Sequence, residues 1–179
     1  MLELFAGCAR LTGACAERGL DCTAPIELGL GQWMDLTDKG VQQEIYRWIQ
    51  SGDIGICWLG TPCKFWLIAK QEKSGFGCRE SRQLAMFSTH VILLCSRYNV
   101  FYILENPATS KLSEWSHMRR ALRKTQAQTI TLHMCAFGTS YKKATELAGT
   151  LPGSTPLLEP AHAGSRTSSS AAWLSSGAS

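Results

Sequence analysis

Short apolar runs alternate with stretches of helical period along the first 150 residues, and this rhythm restricts the chain more than any other feature. Leu2 to Phe5 reads as a strand that stops at Ala6-Gly7, and Cys8 to Arg18 as a helix closed by Gly19. Thr23 to Leu28 is a second strand, placed at an edge or a strand start by Pro25, which lacks the N–H of a central ladder. Asp38 is an N-cap for a helix over Lys39 to Gln50, whose Val41, Ile45, Trp48 and Ile49 share one face. Ile54 to Leu59 has the content of a buried strand. Arg79 to Tyr98 is the clearest helix, with Leu84, Phe87, Val91, Leu94 and Cys95 at the 3.6-residue period. Val100 to Leu104 is an apolar strand stopped by Glu105-Asn-Pro107, and Thr129 to Met134 a β-branched one. Between them Lys111 to Lys124 is amphipathic, with Arg119, Arg120, Arg123 and Lys124 in its last turns, where cations suit the helix dipole. Strand after helix after strand predicts an α/β fold: a mostly parallel sheet with helices on both faces.

The rhythm supports one domain over residues 1–150. Eight of the last 28 residues are Ser, mixed with Gly, Ala and Pro, so residues 151–179 are expected to form a disordered tail. The eight cysteines contain no Cys-x-x-Cys and are joined by only four His, so no metal site is expected. No apolar stretch approaches the ~18 residues of a membrane span, and Met1-Leu-Glu begins without the basic leader of a secretion signal. An intracellular, thiol-reduced setting is expected, the nucleus if the source is eukaryotic. Lys+Arg 18 against Asp+Glu 14 leaves +4, a mild excess that by itself selects no partner.

Three strand ends gather chemistry on one predicted rim, where α/β folds place their sites. In Phe5-Ala6-Gly7 the glycine lets the backbone approach a ligand. In Thr61-Pro62-Cys63 a thiol stands behind a stiff break. In Glu105-Asn106-Pro107 a carboxylate ends a buried strand. Each has a plainer reading: a common α/β turn, a small core thiol, a turn with a capping Asn.

In this order the motifs "LELFAGCARLTG", "WLGTPC" and "YILENPATSKL" resemble the cytosine-5 DNA methyltransferases. The resemblance covers roughly residues 1–150 and implies a Rossmann-like S-adenosylmethionine-dependent methyltransferase fold. "CAFGTSYKKATEL" is similar to a segment of phage-type and retroelement-associated members. The resemblance implies that Phe5, Ala6, Gly7 and Pro62 contact S-adenosylmethionine, with Glu27 on its ribose and Asp35 on its adenine. It implies that Cys63 is the nucleophile, Glu105 the carboxylate, and Asn106, Lys142 and Lys143 substrate contacts on DNA.

The chemistry accounts for these residue types. Cytosine C5 is too poor a nucleophile to take a methyl group until a thiolate adds at C6. Only a few per cent of an ordinary thiol is ionised at neutral pH, so a helix start or a cation near Cys63 would help, and Lys64 is its neighbour in sequence. Glu105 would hold a proton toward N3, a role favoured by a dry pocket, and the base must leave its stack to meet both groups. Cys57, inside the strand run, is expected to be packed and inert.

The chain departs from the family at Lys64-Phe65-Trp66-Leu67, bulkier than the usual polar residues, and in lacking a Gln-x-Arg-x-Arg segment. No target-recognition domain follows in these 179 residues, so weak methylation in isolation is expected. The competing readings are a non-catalytic module of the same fold and an amino-methyltransferase. The second is disfavoured because Asn106-Pro107 lacks the second Pro and aromatic of that motif.

Overall fold

The structure, a computed structural model, describes residues 1–66, 75–137, 140 and 142–150. The expected tail and Gly138, Thr139 and Tyr141 of the "CAFGTSYKKATEL" segment lie outside the described residues. The element order is β1 (Leu2–Leu4), α1 (Arg10–Ala16), α2 (Lys39–Ser51), β2 (Ile56–Leu59), α3 (Gly75–Arg97), β3 (Phe101–Pro107), α4 (Ser116–Lys124), β4 (Gln128–His133) and β5 (Ala144–Gly149).

The five strands form one sheet in the order β1-β2-β3-β5-β4. β1, β2 and β3 pair in parallel, with Leu4 opposite Leu59 and Leu59 opposite Leu104. β5 runs antiparallel to both β3 and β4, so it alone is reversed. This is the mostly parallel sheet of a Rossmann-like fold, with the carboxyl ends of β1, β2 and β3 on one rim. Both faces carry helices. Cys57 of β2 meets Cys95 of α3, and the Tyr102 hydroxyl bonds that of Thr125 just behind α4, which puts α3 and α4 on one face. α1 lies on the other, where the buried Glu3 carboxylate accepts the Thr12 N–H at 2.9 Å and the Thr12 hydroxyl. The core between sheet and α2–α4 contains Leu2, Leu4, Ile45, Ile49, Cys57, Leu59, Phe87, Val91 and Tyr102.

Local physics explains where the elements depart from expectation. Asp38 caps α2 by accepting the N–H groups of Gly40 and Val41 at 2.6 and 3.0 Å. α1 is shorter than expected because Ala9, at φ 52°, cannot be helical. The 23–28 segment makes a single parallel bridge, Leu4 to Ile26; Thr23 and Ile26 donate to Met1 and Glu3, but Pro25 has no N–H to give. α4 starts five residues late, since 111–115 turn instead. β3 does not stop at Leu104: β5, unforeseen in the sequence, pairs with it through Pro107.

Gly149 makes that last pairing possible. A Cβ there would sit 2.2 Å from the Tyr102 carbonyl oxygen, whereas at Gly13 in α1 it would meet nothing within 4 Å. Gly149→Ala is therefore expected to cost about 2–3 kcal/mol in urea unfolding. Gly13→Ala should add up to about 1 kcal/mol through helix propensity. Equal stability of the two variants would show that β3 and β5 tolerate separation at this point.

Candidate active site

The first strand end is held by its own neighbours. Phe5, Gly7 and Ala9 adopt φ of 59°, 55° and 52°, a left-handed series that costs of order 1 kcal/mol or more at each non-glycine residue. The strain is offset by bonds that fix the turn: Ala6 N–H to Ile26 O at 3.2 Å, Ala9 N–H to Ala6 O at 2.8 Å, and Gly7 N–H to the Glu27 carboxylate at 2.9 Å. Ala6 and Gly7 thus shape the loop that presents Phe5 and Glu27.

The second strand end is pressed against the first. Gly60 donates to Leu4 O at 3.0 Å, and a Cβ on it would lie 2.9 Å from Phe5 O. Only glycine lets the Pro-Cys loop approach so closely. The Thr61 hydroxyl, buried, meets that of Ser88 in α3 at 2.8 Å, and Trp66 N–H closes the turn onto Cys63 O at 2.8 Å. Cys63 comes to rest half-buried at the rim.

Burial pushes the Cys63 thiol above its ordinary range; its own backbone amide and the Lys143 ammonium pull it back, and the Glu105 carboxylate pushes it further up. The opposed charges are themselves paired, Lys143 Nζ to Glu105 Oε1 at 3.6 Å. The cation acting on Cys63 is therefore Lys143, delivered by the chain just before β5. Lys64, its neighbour in sequence, sits 5.9 Å from the Phe65 ring centroid. Lys142 is exposed and unpaired among the described residues. Asn106 does not join the group. Strand alternation turns it to the opposite face from Glu105, where it is 6% exposed and its Nδ2 donates to Glu105 O at 2.6 Å. Cys57 is fully buried, its thiol held well above the usual range first by the Cys95 contact and then by burial.

Beside Cys63 lies a cleft of about 250 Å³, near the lower end of the roughly 300–1,000 Å³ of small-molecule sites. Phe5, Glu27, Asp35 and Pro62 all line it, with Leu28, Met34, Leu36, Phe65 and Leu84 as apolar walls. The donor set fits a nucleoside-bearing cofactor. Glu27 uses its carboxylate on the N–H groups of Gly7 and Gly29 but retains lone pairs for hydroxyl donors. Asp35 spends Oδ1 on the Thr37 N–H and hydroxyl, both at 2.8 Å, leaving Oδ2 as an acceptor. Thr37, Glu80 and Ser81 also line the cleft. Sequence reading missed them because they belong to no strand-end motif; nor did it single out Gly60, although a glycine next to Thr-Pro-Cys was the available signal. Among the described residues no group of His, Cys, Asp or Glu could hold a metal ion.

A parallel three-strand core with one reversed strand, β5 between β3 and β4, is a Rossmann-like sheet of the methyltransferase-fold type. The crystal structure of the S. pombe Dnmt2 methyltransferase is similar to it, with a TM-score of 0.50 and 16% identity over 82% of this chain. The chain spans about half of that protein, 49% of its length. No family model and no curated protein matches the sequence.

Proposed function

We propose that the chain is an S-adenosylmethionine-dependent DNA (cytosine-5) methyltransferase. The observation that carries this reading is the meeting of Cys63, Glu105 and Lys143 on the rim next to a cleft lined by Phe5, Glu27, Asp35 and Pro62. Phe5, Glu27, Asp35 and Pro62 would hold the cofactor, which when bound supplies an electrophilic methyl group for cytosine C5. The Cys63 thiolate bonds to C6 of the extruded base, and the displaced π electrons move toward C5 and N3. Glu105, taking up the proton that Cys63 releases on ionising, holds it at N3 and neutralises the charge that develops there. Lys143 favours the thiolate and offsets the Glu105 carboxylate until the base arrives. Once C5 carries the methyl group, water accepts the C5 proton, the C5–H electrons re-form the C5=C6 bond, the C6–S bond breaks to release the Cys63 thiolate, and the N3 proton returns to Glu105.

Radiolabelled methyl transfer to cytosine-containing DNA tests the reading, with the product hydrolysed to its bases. Label in 5-methylcytosine is expected, together with calorimetric heat on cofactor binding that Asp35→Ala weakens. Label on an exocyclic nitrogen would make the protein an amino-methyltransferase. Cofactor heat without transfer to any DNA would make it a non-catalytic module of this fold.

A further inference from the structure

Two features outside the cleft are left unused by this chemistry. The first is a ladder of rings: Trp66 lies 5.2 Å from Trp115, and Trp115 lies 4.7 Å from His117, centroid to centroid. The ladder starts in the turn that Trp66 closes onto Cys63, and Lys111 N–H pins the same turn by bonding Trp66 O at 2.7 Å. Trp66 and Trp115 are half-buried, and the ladder ends on the exposed ring of His117. The second is the basic face of α4. Arg119, Arg120, Arg123 and Lys124 are exposed, and none has an ion pair or hydrogen-bond partner among the described residues. Arg123 and Lys124 have a structural reason in the dipole of the last turn; Arg119 and Arg120 stand ahead of it. Met118, Ala121 and Thr125 occupy the buried side.

The two features are continuous. His117, Arg120 and Lys124 recur at i, i+3 and i+7, so the last ring and two cations make one stripe along the helix. α4 crosses over between two strands of the same direction, so the stripe begins at the Cys63 rim and runs away from it. Arg119 and Arg123 flank it and share a shallow cleft with Glu146. Rings beside unpaired cations offer partners to both the bases and the phosphates of a single strand. Stacking on aromatic faces requires bases whose own faces are free, and these only an unpaired strand offers.

We propose that Trp115, His117, Arg120 and Lys124 form a track for an unpaired polynucleotide strand adjoining the base at Cys63. The track rests on the reading of the site as one that takes an extruded base, and deepens it by naming the form of the substrate. It is tested by fluorescence anisotropy with labelled oligothymidylate and with a matched duplex, on the 179-residue chain carrying Cys63→Ser, without cofactor. Since that protein cannot form an adduct, loss of binding counts against the track alone, and loss of methyl transfer by the wild type counts against the enzyme reading alone. Arg120→Gln with Lys124→Gln should weaken single-strand binding about tenfold or more and lower the salt slope by roughly 1.4, at about 0.7 for each cation. His117→Ala, an exposed change that leaves the fold alone, should weaken it several-fold with no change in slope. An unchanged Kd and slope in the double variant overturns the track, as does failure of the parent protein to bind at low salt. Equal affinity for the duplex, with equal losses, overturns the assignment to an unpaired strand.

Discussion

Cys63→Ser is expected to form no covalent adduct with DNA carrying 5-fluorocytosine in the presence of S-adenosylmethionine, whereas Cys57→Ala should be trapped as well as the wild type. Fluorine at C5 removes the proton whose loss would release the enzyme, so any thiolate that adds at C6 stays attached. A hydroxyl at the same place is far harder to ionise and cannot take over. Cys57 contributes only packing against Cys95, and its truncation should cost about 1 kcal/mol of stability. Denaturing gels count the adduct. They are a better probe than thiol labelling, since Cys8 and Cys135 are exposed and would react with any alkylating agent. Undiminished trapping by Cys63→Ser would end the assignment of the nucleophile.

The second large effect falls on Glu105. Replacing it by Gln removes the proton held at N3, and methyl transfer should fall by about 10²–10⁴-fold. The same change should make the resting thiol easier to ionise, because the Glu105 carboxylate raises the Cys63 pKa. The signs are opposite for the paired cation: Lys143 lowers the Cys63 pKa, so Lys143→Met should raise it further. The two effects separate in the pH dependence of iodoacetamide alkylation, followed on the Cys63 peptide by mass spectrometry. Because burial already holds this thiol above its ordinary range, the wild-type rate should climb only at alkaline pH. The curve should shift to lower pH in Glu105→Gln and to higher pH in Lys143→Met. Coincident curves for the three proteins would mean that neither charge reaches the sulfur. A variant that alkylates faster yet methylates far more slowly would place Glu105 in the chemistry rather than in the activation of the thiol.

Much of this arrangement was legible in the chain before folding. The strand-helix rhythm gave the sheet and its direction, since apolar runs of strand length between amphipathic stretches have few other ways to bury themselves. Asp38 announced α2, and the order Phe5-Gly7, Pro62-Cys63, Glu105 announced the rim, because chemistry at strand ends leaves its mark in consecutive residues. Pro25 foretold that its segment would pair poorly. The rest depended on partners distant in sequence. β5 was unforeseen because "ATELAG" has neither the period nor the bulk of a strand; its register is set by β3 and by the close approach that Gly149 allows. That pairing carries Glu105 and Asn106 inside β3 instead of into a turn, and alternation then sends Asn106 to the buried face while Glu105 stays at the rim. It also delivers Lys143 to Glu105 across 37 intervening positions in the chain, and so to Cys63, whose neighbour in sequence is Lys64. Local sequence determined which groups could act; which charges the thiol feels was decided by the one reversed strand, since electrostatic influence follows distance in space and not along the chain.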